Sequence, residues 1–110
     1  MLFDIRTYRC KPGKLRAHLD IYEQYGRAPQ ERHLGQPLLF AIGETGNPNE
    51  FIHIWVYRNA ADREHKRTAM WADTEWLAYT RRSAELSGLH SQHNKLVTNA
   101  SWFTSSIEPA

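Results

Sequence analysis

The sequence predicts an α+β fold of the ferredoxin-like split β-α-β type: a four-stranded antiparallel sheet with helices on one face. Three observations carry that expectation. Strand-like and helix-like periodicities follow one another in the order strand, helix, strand, strand, helix pair, strand. The chain has 110 residues, enough for two packed layers but not for two separate cores, so one domain over residues 1–110 is expected. Its hydrophobic content of 41%, with 12% aromatic residues, is that of a folded globule rather than a disordered chain.

Each element has a local reason. In residues 2–9 (LFDIRTYR), Phe3, Ile5 and Thr7 alternate with Asp4, Arg6 and Tyr8, as a strand requires. Lys11-Pro12-Gly13-Lys14 is turn chemistry. Leu15, His18, Leu19 and Tyr22 then fall at helical spacing. Gly26 and Pro29 are expected to break or bend this helix near Tyr25, with a short second segment through Gln30–Leu34 stopping at Gly35. Residues 37–42 (PLLFAI) and 51–57 (FIHIWVY) read as two strands joined by the turn-rich Thr45–Asn49, a hairpin with a long loop. Asn59 suits a helix N-cap with Asp62 in the first turn, and Asp73 or Thr74 caps a further helix ending near Gly88. Residues 95–103 are expected to form the last strand.

The strand FIHIWVY does not alternate. Phe51, His53, Trp55 and Tyr57 share one face, and Ile52, Ile54 and Val56 occupy the other. The strand before it behaves similarly. Helices of one small chain cover only one face of a sheet, and large apolar patches are seldom left in water. A homodimer in which two sheets pack face to face is therefore expected.

Composition bears on partners and location. The formal net charge is +2 with both signs interleaved and no basic block, which gives no footing for nucleic acid. Asp4, Arg6 and Arg9 interrupt the apolar start at once, so neither a secretory signal nor a membrane segment is expected. A single cysteine, Cys10, forbids an intrachain disulfide and permits a reducing compartment. A cytoplasmic protein is the simplest expectation. Cys10 reads as a surface turn thiol between Arg9 and Lys11.

The ordered motifs resemble those of NIPSNAP family domains. Asp4-Ile5-Arg6-Thr7-Tyr8 followed by Lys11-Pro12-Gly13-Lys14 is similar to their opening, and Arg32-His33-Leu34-Gly35 to the segment before their second strand. His53-Ile54-Trp55-Val56-Tyr57 with Ala61-Asp62-Arg63 resembles their strand-to-helix junction. Asp73-Thr74-Glu75-Trp76 resembles Asp-Pro-Glu-Trp with threonine for proline, and Gln92-His93-Asn94-Lys95 resembles the entry to the last strand, with His93 where an acid is common. The resemblance spans about the whole chain. It implies a dimeric α/β-barrel architecture, which also hosts antibiotic-biosynthesis monooxygenases, haem-degrading monooxygenases and muconolactone isomerases. A shared fold transfers none of those activities. Eukaryotic members are associated with mitochondria and adaptor roles and carry a longer N-terminal region, so a small stand-alone member is expected here.

His53 is the first candidate for chemistry, as a base, a hydrogen-bond donor or an axial ligand, against the plainer reading of a packed neutral imidazole. Tyr8 is its catalytic companion, donating to a carbonyl oxygen, and Arg6 suits a carboxylate unless Asp4 pairs with it. Trp55, Tyr57 and Trp76 are candidate walls for a small apolar ligand, and His33 a candidate at the pocket mouth. His90 and His93 give a metal spacing without a third ligand, so neither metal nor cofactor is expected. Three functional readings follow: a small-molecule-binding dimer with cofactor-independent monooxygenase or isomerase activity, a non-catalytic homodimeric interaction or stress-associated module, and a haem-binding protein.

Overall fold

A computed structural model describes residues 1–110. Strand β1 (Leu2–Cys10) leads into helix α1 (Leu15–Ile21), a π-helical turn (Tyr22–Gly26) and helix α2 (Arg27–Leu34). Strands β2 (Leu39–Ile42) and β3 (Glu50–Tyr57) form the hairpin. Helices α3 (Ala60–Trp71) and α4 (Thr74–Leu86) precede strand β4 (Leu89–Thr98). The strands lie in the order β2-β3-β1-β4, all antiparallel, which is the ferredoxin-like arrangement.

The register settles the question that the doubly apolar strand poses. Tyr8 pairs with Phe51, Arg6 with His53, Asp4 with Trp55, and Phe40 with His53 from the other side. Directly opposed residues project from the same face. That face meets the helices, and the core there joins Trp55 and Tyr57 to Leu34, Met70, Trp76 and Tyr79. The other face carries Ile5, Ile52, Ile54 and Leu39. It stays partly open: Leu39 is 43% exposed and Val97 36%, and only Phe3 and Val56, at one end, are buried.

Caps fall where the side-chain chemistry places them. Asn59 accepts from the Asp62 N–H at 2.8 Å, and Asp73 from that of Glu75 at 2.9 Å. Three features differ from the sequence expectation. Of the break or bend expected at Gly26 and Pro29, the break does not occur. The chain stays helical through a π turn in which the Arg27 N–H reaches back to the Tyr22 carbonyl. The wider turn relieves the clash a proline ring makes with the carbonyl four residues back.

The last strand is Leu89–Thr98 rather than 95–103. It pairs along nearly all of β1, yet every residue after Leu89 is exposed, so no hydrophobic alternation announces it. Cys10 is not a surface thiol. It is buried at the end of β1, and burial pushes its pKa up. No helix is long and apolar enough to cross a membrane.

Candidate functional site

Between the sheet and the helices lies a cavity of about 300 Å³, the low end of the ligand-pocket range. Period-two alternation puts its floor together from three strands. The rings of Tyr8 and Phe40 stack on either side of His53, at centroid distances of 5.0 and 4.9 Å and within 12° of parallel. Phe51 stacks on Tyr8 at 4.9 Å and extends the floor. Trp71 and Met70 from α3 and Trp76 and Tyr79 from α4 supply walls. Tyr22, from the π turn, stacks on Phe40 at 5.0 Å and donates its hydroxyl to Gln30 Oε1 at 2.6 Å. Burial pushes the Tyr79 phenol up to about 12.

His53 is held in one protonation state and one tautomer. The indole Nε1–H of Trp55, two positions along the same strand, donates to His53 Nδ1 at 2.5 Å. An indole only donates, so Nδ1 must carry a lone pair and the imidazole proton sits on Nε2. Burial, reinforced by the positive charge of Arg6, pushes the His53 pKa down to about 3. The ring is therefore neutral near pH 7. In that state it offers a donor at Nε2 and no free lone pair for a base. It also does not fit haem ligation, which needs the lone pair on the nitrogen that here carries the proton.

Asp4 anchors the neighbouring donors. It has no solvent exposure. Its Oδ2 accepts from Arg6 at 3.2 Å and from Arg63 Nε at 3.1 Å, and its Oδ1 accepts from Asn94 at 2.9 Å. Burial alone would raise the Asp4 pKa, but Asn94, Arg6 and Arg63 outweigh it and hold the carboxyl below its usual value. Pinned in this way, Arg6 turns its Nε–H to the Tyr8 hydroxyl at 3.0 Å. Tyr8 accepts that bond and keeps its own proton to donate elsewhere.

The remaining polar lining is cationic or neutral. Arg6 and Arg67 line the cavity and no carboxylate does. The ring nitrogens His18 Nδ1 and Trp76 Nε1, both buried on cavity-lining residues, have no hydrogen-bond partner. Burial also lowers the His18 pKa.

Of the residues singled out by sequence, Arg6, Tyr8, His53 and Trp76 line the cavity together. Trp55 and Tyr57 do not. Both are fully buried in the core, where Trp55 acts on the site only through His53. His33 lies elsewhere. Its Nε2 meets Asp73 Oδ2 at 2.8 Å, beside Arg32 at 2.7 Å, tying the end of α2 to the start of α4. The hydrogen bond with His33 is the main reason the Asp73 pKa falls to about 2. His90 and His93 sit three apart on a strand, hence on opposite faces, and no three metal-ligating side chains converge anywhere.

Sequence reasoning missed Phe40, Tyr22 and Arg67 as lining residues. Phe40 could have been found from its face, since it shares one with Ile42 and opposes Leu39 and Ala41. Arg67 ends the charge run Asp62-Arg63-Glu64-His65-Lys66-Arg67, whose composition alone reads as a solvated face.

Comparison with known proteins agrees with this fold. The NIPSNAP family model matches residues 3–104. A NIPSNAP family protein from Agrobacterium tumefaciens superposes with a TM-score of 0.83 at 33% identity, over 94% of this chain and 91% of that one. A NIPSNAP domain protein from Burkholderia xenovorans gives 0.86 at 26% identity, over 96% and 100%. A putative antibiotic biosynthesis monooxygenase from Nitrosomonas europaea shares the fold alone, with a TM-score of 0.61 at 14% identity, over 90% and 98%. The human protein NipSnap homolog 3A is 29% identical over 76 residues, 69% of this chain, which spans only 30% of that relative's length. The match along nearly the whole sequence and the shared fold make this chain a member of the NIPSNAP family.

Proposed function

We propose that this protein binds a small molecule in the cavity between sheet and helices, as one half of a homodimer formed through the open sheet face. The observation that carries the binding reading is His53. A buried imidazole, fixed by Trp55 as a donor through Nε2, lines an aromatic-walled cavity. A merely packed histidine has both nitrogens satisfied within the protein. Here Nδ1 has its partner in Trp55, and Nε2 is left for an acceptor on the ligand.

The chemistry open to such a site is narrow. His53 Nε2–H, the Tyr8 hydroxyl and a nearby guanidinium are donors that favour negative charge developing on a ligand oxygen. No Asp, Glu or Lys lines the cavity, and both lining histidines have lowered pKa values. Among cofactor-independent monooxygenase and isomerase reactions, those whose substrate ionises under oxyanion stabilisation suit it. Those needing a side-chain base near neutral pH do not.

The dimer rests on the second face. Ile5, Ile52, Ile54 and Leu39 form an apolar surface that no helix of the chain covers, and β4 is a long edge strand with little cover of its own. A ligand screen by thermal shift tests binding, since a ligand stabilises the fold by mass action. His53→Ala empties a buried, stacked position and should lower the ligand-free melting temperature too. Binding is therefore read as the ligand-induced shift above each variant's own baseline, which His53→Ala should abolish. Light scattering tests the dimer: a monodisperse monomer at micromolar concentration would contradict it.

A further inference from the structure

We propose that the ligand of this cavity is a flat aromatic anion, its negative oxygen held by Arg67 together with the Tyr8 hydroxyl and His53 Nε2–H. This rests on the cavity being a binding site and deepens that reading by naming the class of molecule.

The charge balance around the site is the first argument. Arg6, Arg63 and Arg67 stand within one neighbourhood, and a single buried carboxylate, Asp4, is shared by the first two. Arg67 has no carboxylate within ion-pairing distance, although it is half-buried and lines the cavity. Its sequence neighbour Lys66, by contrast, pairs with Asp62 at 3.1 Å. A partly buried cation facing a cavity with no acidic lining favours an anion inside it.

The second argument is the direction of the hydrogen bonds. Trp55 uses up the acceptor nitrogen of His53, and Arg6 uses an acceptor lone pair on Tyr8, so both present donors inward. Trp76 Nε1–H is a further buried donor with no protein partner. The lining holds hydroxyl and amide groups able to accept, but its charged groups are all cationic, which suits an oxyanion and disfavours a ligand ammonium. The third argument is shape. The floor rings stack on one another and so turn their edges to the cavity. With Trp76 and Tyr79 among the walls, this aromatic lining receives a planar ring edge-to-face.

Calorimetric titration of the full chain with 2-naphthoate and with its neutral isostere 2-naphthamide tests the proposal, in the wild type, Arg67→Gln and Arg67→Lys. Naphthoate should bind about ten-fold more tightly than the amide or better. Arg67→Gln should remove most of that preference while leaving amide affinity within roughly two-fold, and Arg67→Lys should restore part of it. Equal affinity for both probes, or an Arg67→Gln loss shared equally by both, overturns the anion. Hits confined to neutral aromatics in a wider thermal-shift panel overturn the anion but leave the binding cavity standing. A panel in which nothing binds overturns the cavity reading with it.

Discussion

Trp55 and His53 lie two residues apart on one strand, and the 2.5 Å bond from indole to Nδ1 decides which imidazole nitrogen carries the proton. Period-two geometry puts both rings on the helix-facing side, so the pair needs no loop and no distant element. It converts a residue that sequence alone leaves ambiguous between base, donor and ligand into a fixed donor.

Replacing that indole should release the ring. In Trp55→Phe, His53 Nδ1 loses its partner while staying buried, at a cost of about 1–3 kcal/mol in urea unfolding. The imidazole should then populate both neutral tautomers, visible in long-range ¹H–¹⁵N spectra, and ligands found by thermal shift should bind more weakly.

Stability should rise with pH across the acid range, and His53 should be a main cause. The unfolded chain binds a proton on this histidine near pH 6.5, while the folded state resists until about pH 3. Between these values the unfolded state holds the extra proton, so stability falls as pH falls, by about 1.4 kcal/mol per pH unit for one group. His18, lowered by the same burial, adds to the slope. Asp4 and Asp73, whose pKa values are depressed, lose their contribution only at the bottom of the range. Urea midpoints between pH 4.5 and 6.5 should therefore be flatter in His53→Gln than in the wild type, by about one proton's slope.

Asp4→Asn should be severe. It leaves Arg6 and Arg63 without their shared carboxylate in a buried setting, at a cost of about 3–5 kcal/mol. Arg6 should then let go of Tyr8, so ligand affinity should drop even where the variant remains folded. Chemical unfolding and calorimetry of the same preparation separate the two effects.

Gly26→Ala tests the π turn. A Cβ there would sit 2.8 Å from the Tyr79 ring, whose burial leaves it little room to retreat. Overpacking of about 1–3 kcal/mol should exceed the gain of about 1 kcal/mol from replacing glycine in a helix. The displaced ring should also narrow the cavity, lowering the affinity of ligands that fill it.

The sequence made the fold legible wherever burial writes a period. β1, β3 and the caps at Asn59 and Asp73 follow from alternation and side-chain chemistry alone. β4 was misplaced because its residues are exposed and its strand identity comes from backbone pairing with β1. At Gly26 and Pro29 local propensity allows a break or a bend, and it cannot foresee a π turn packed against Tyr79. For the site, Arg6, Tyr8 and His53 were legible as one face of adjacent strands. The covering residues Arg67 and Tyr22 were not, since which side of a helix meets the cavity depends on packing that both apolar sheet faces left open.

The state of His53 at neutral pH is what binding in this cavity depends on most directly. A long-range ¹H–¹⁵N spectrum of the wild-type protein at pH 7 should show a neutral ring protonated on Nε2, with Nδ1 shifted by the indole bond, and the Nε2–H signal should move when a cavity ligand is added. A charged ring, an Nδ1–H tautomer, or an Nε2–H signal indifferent to every bound ligand would contradict it.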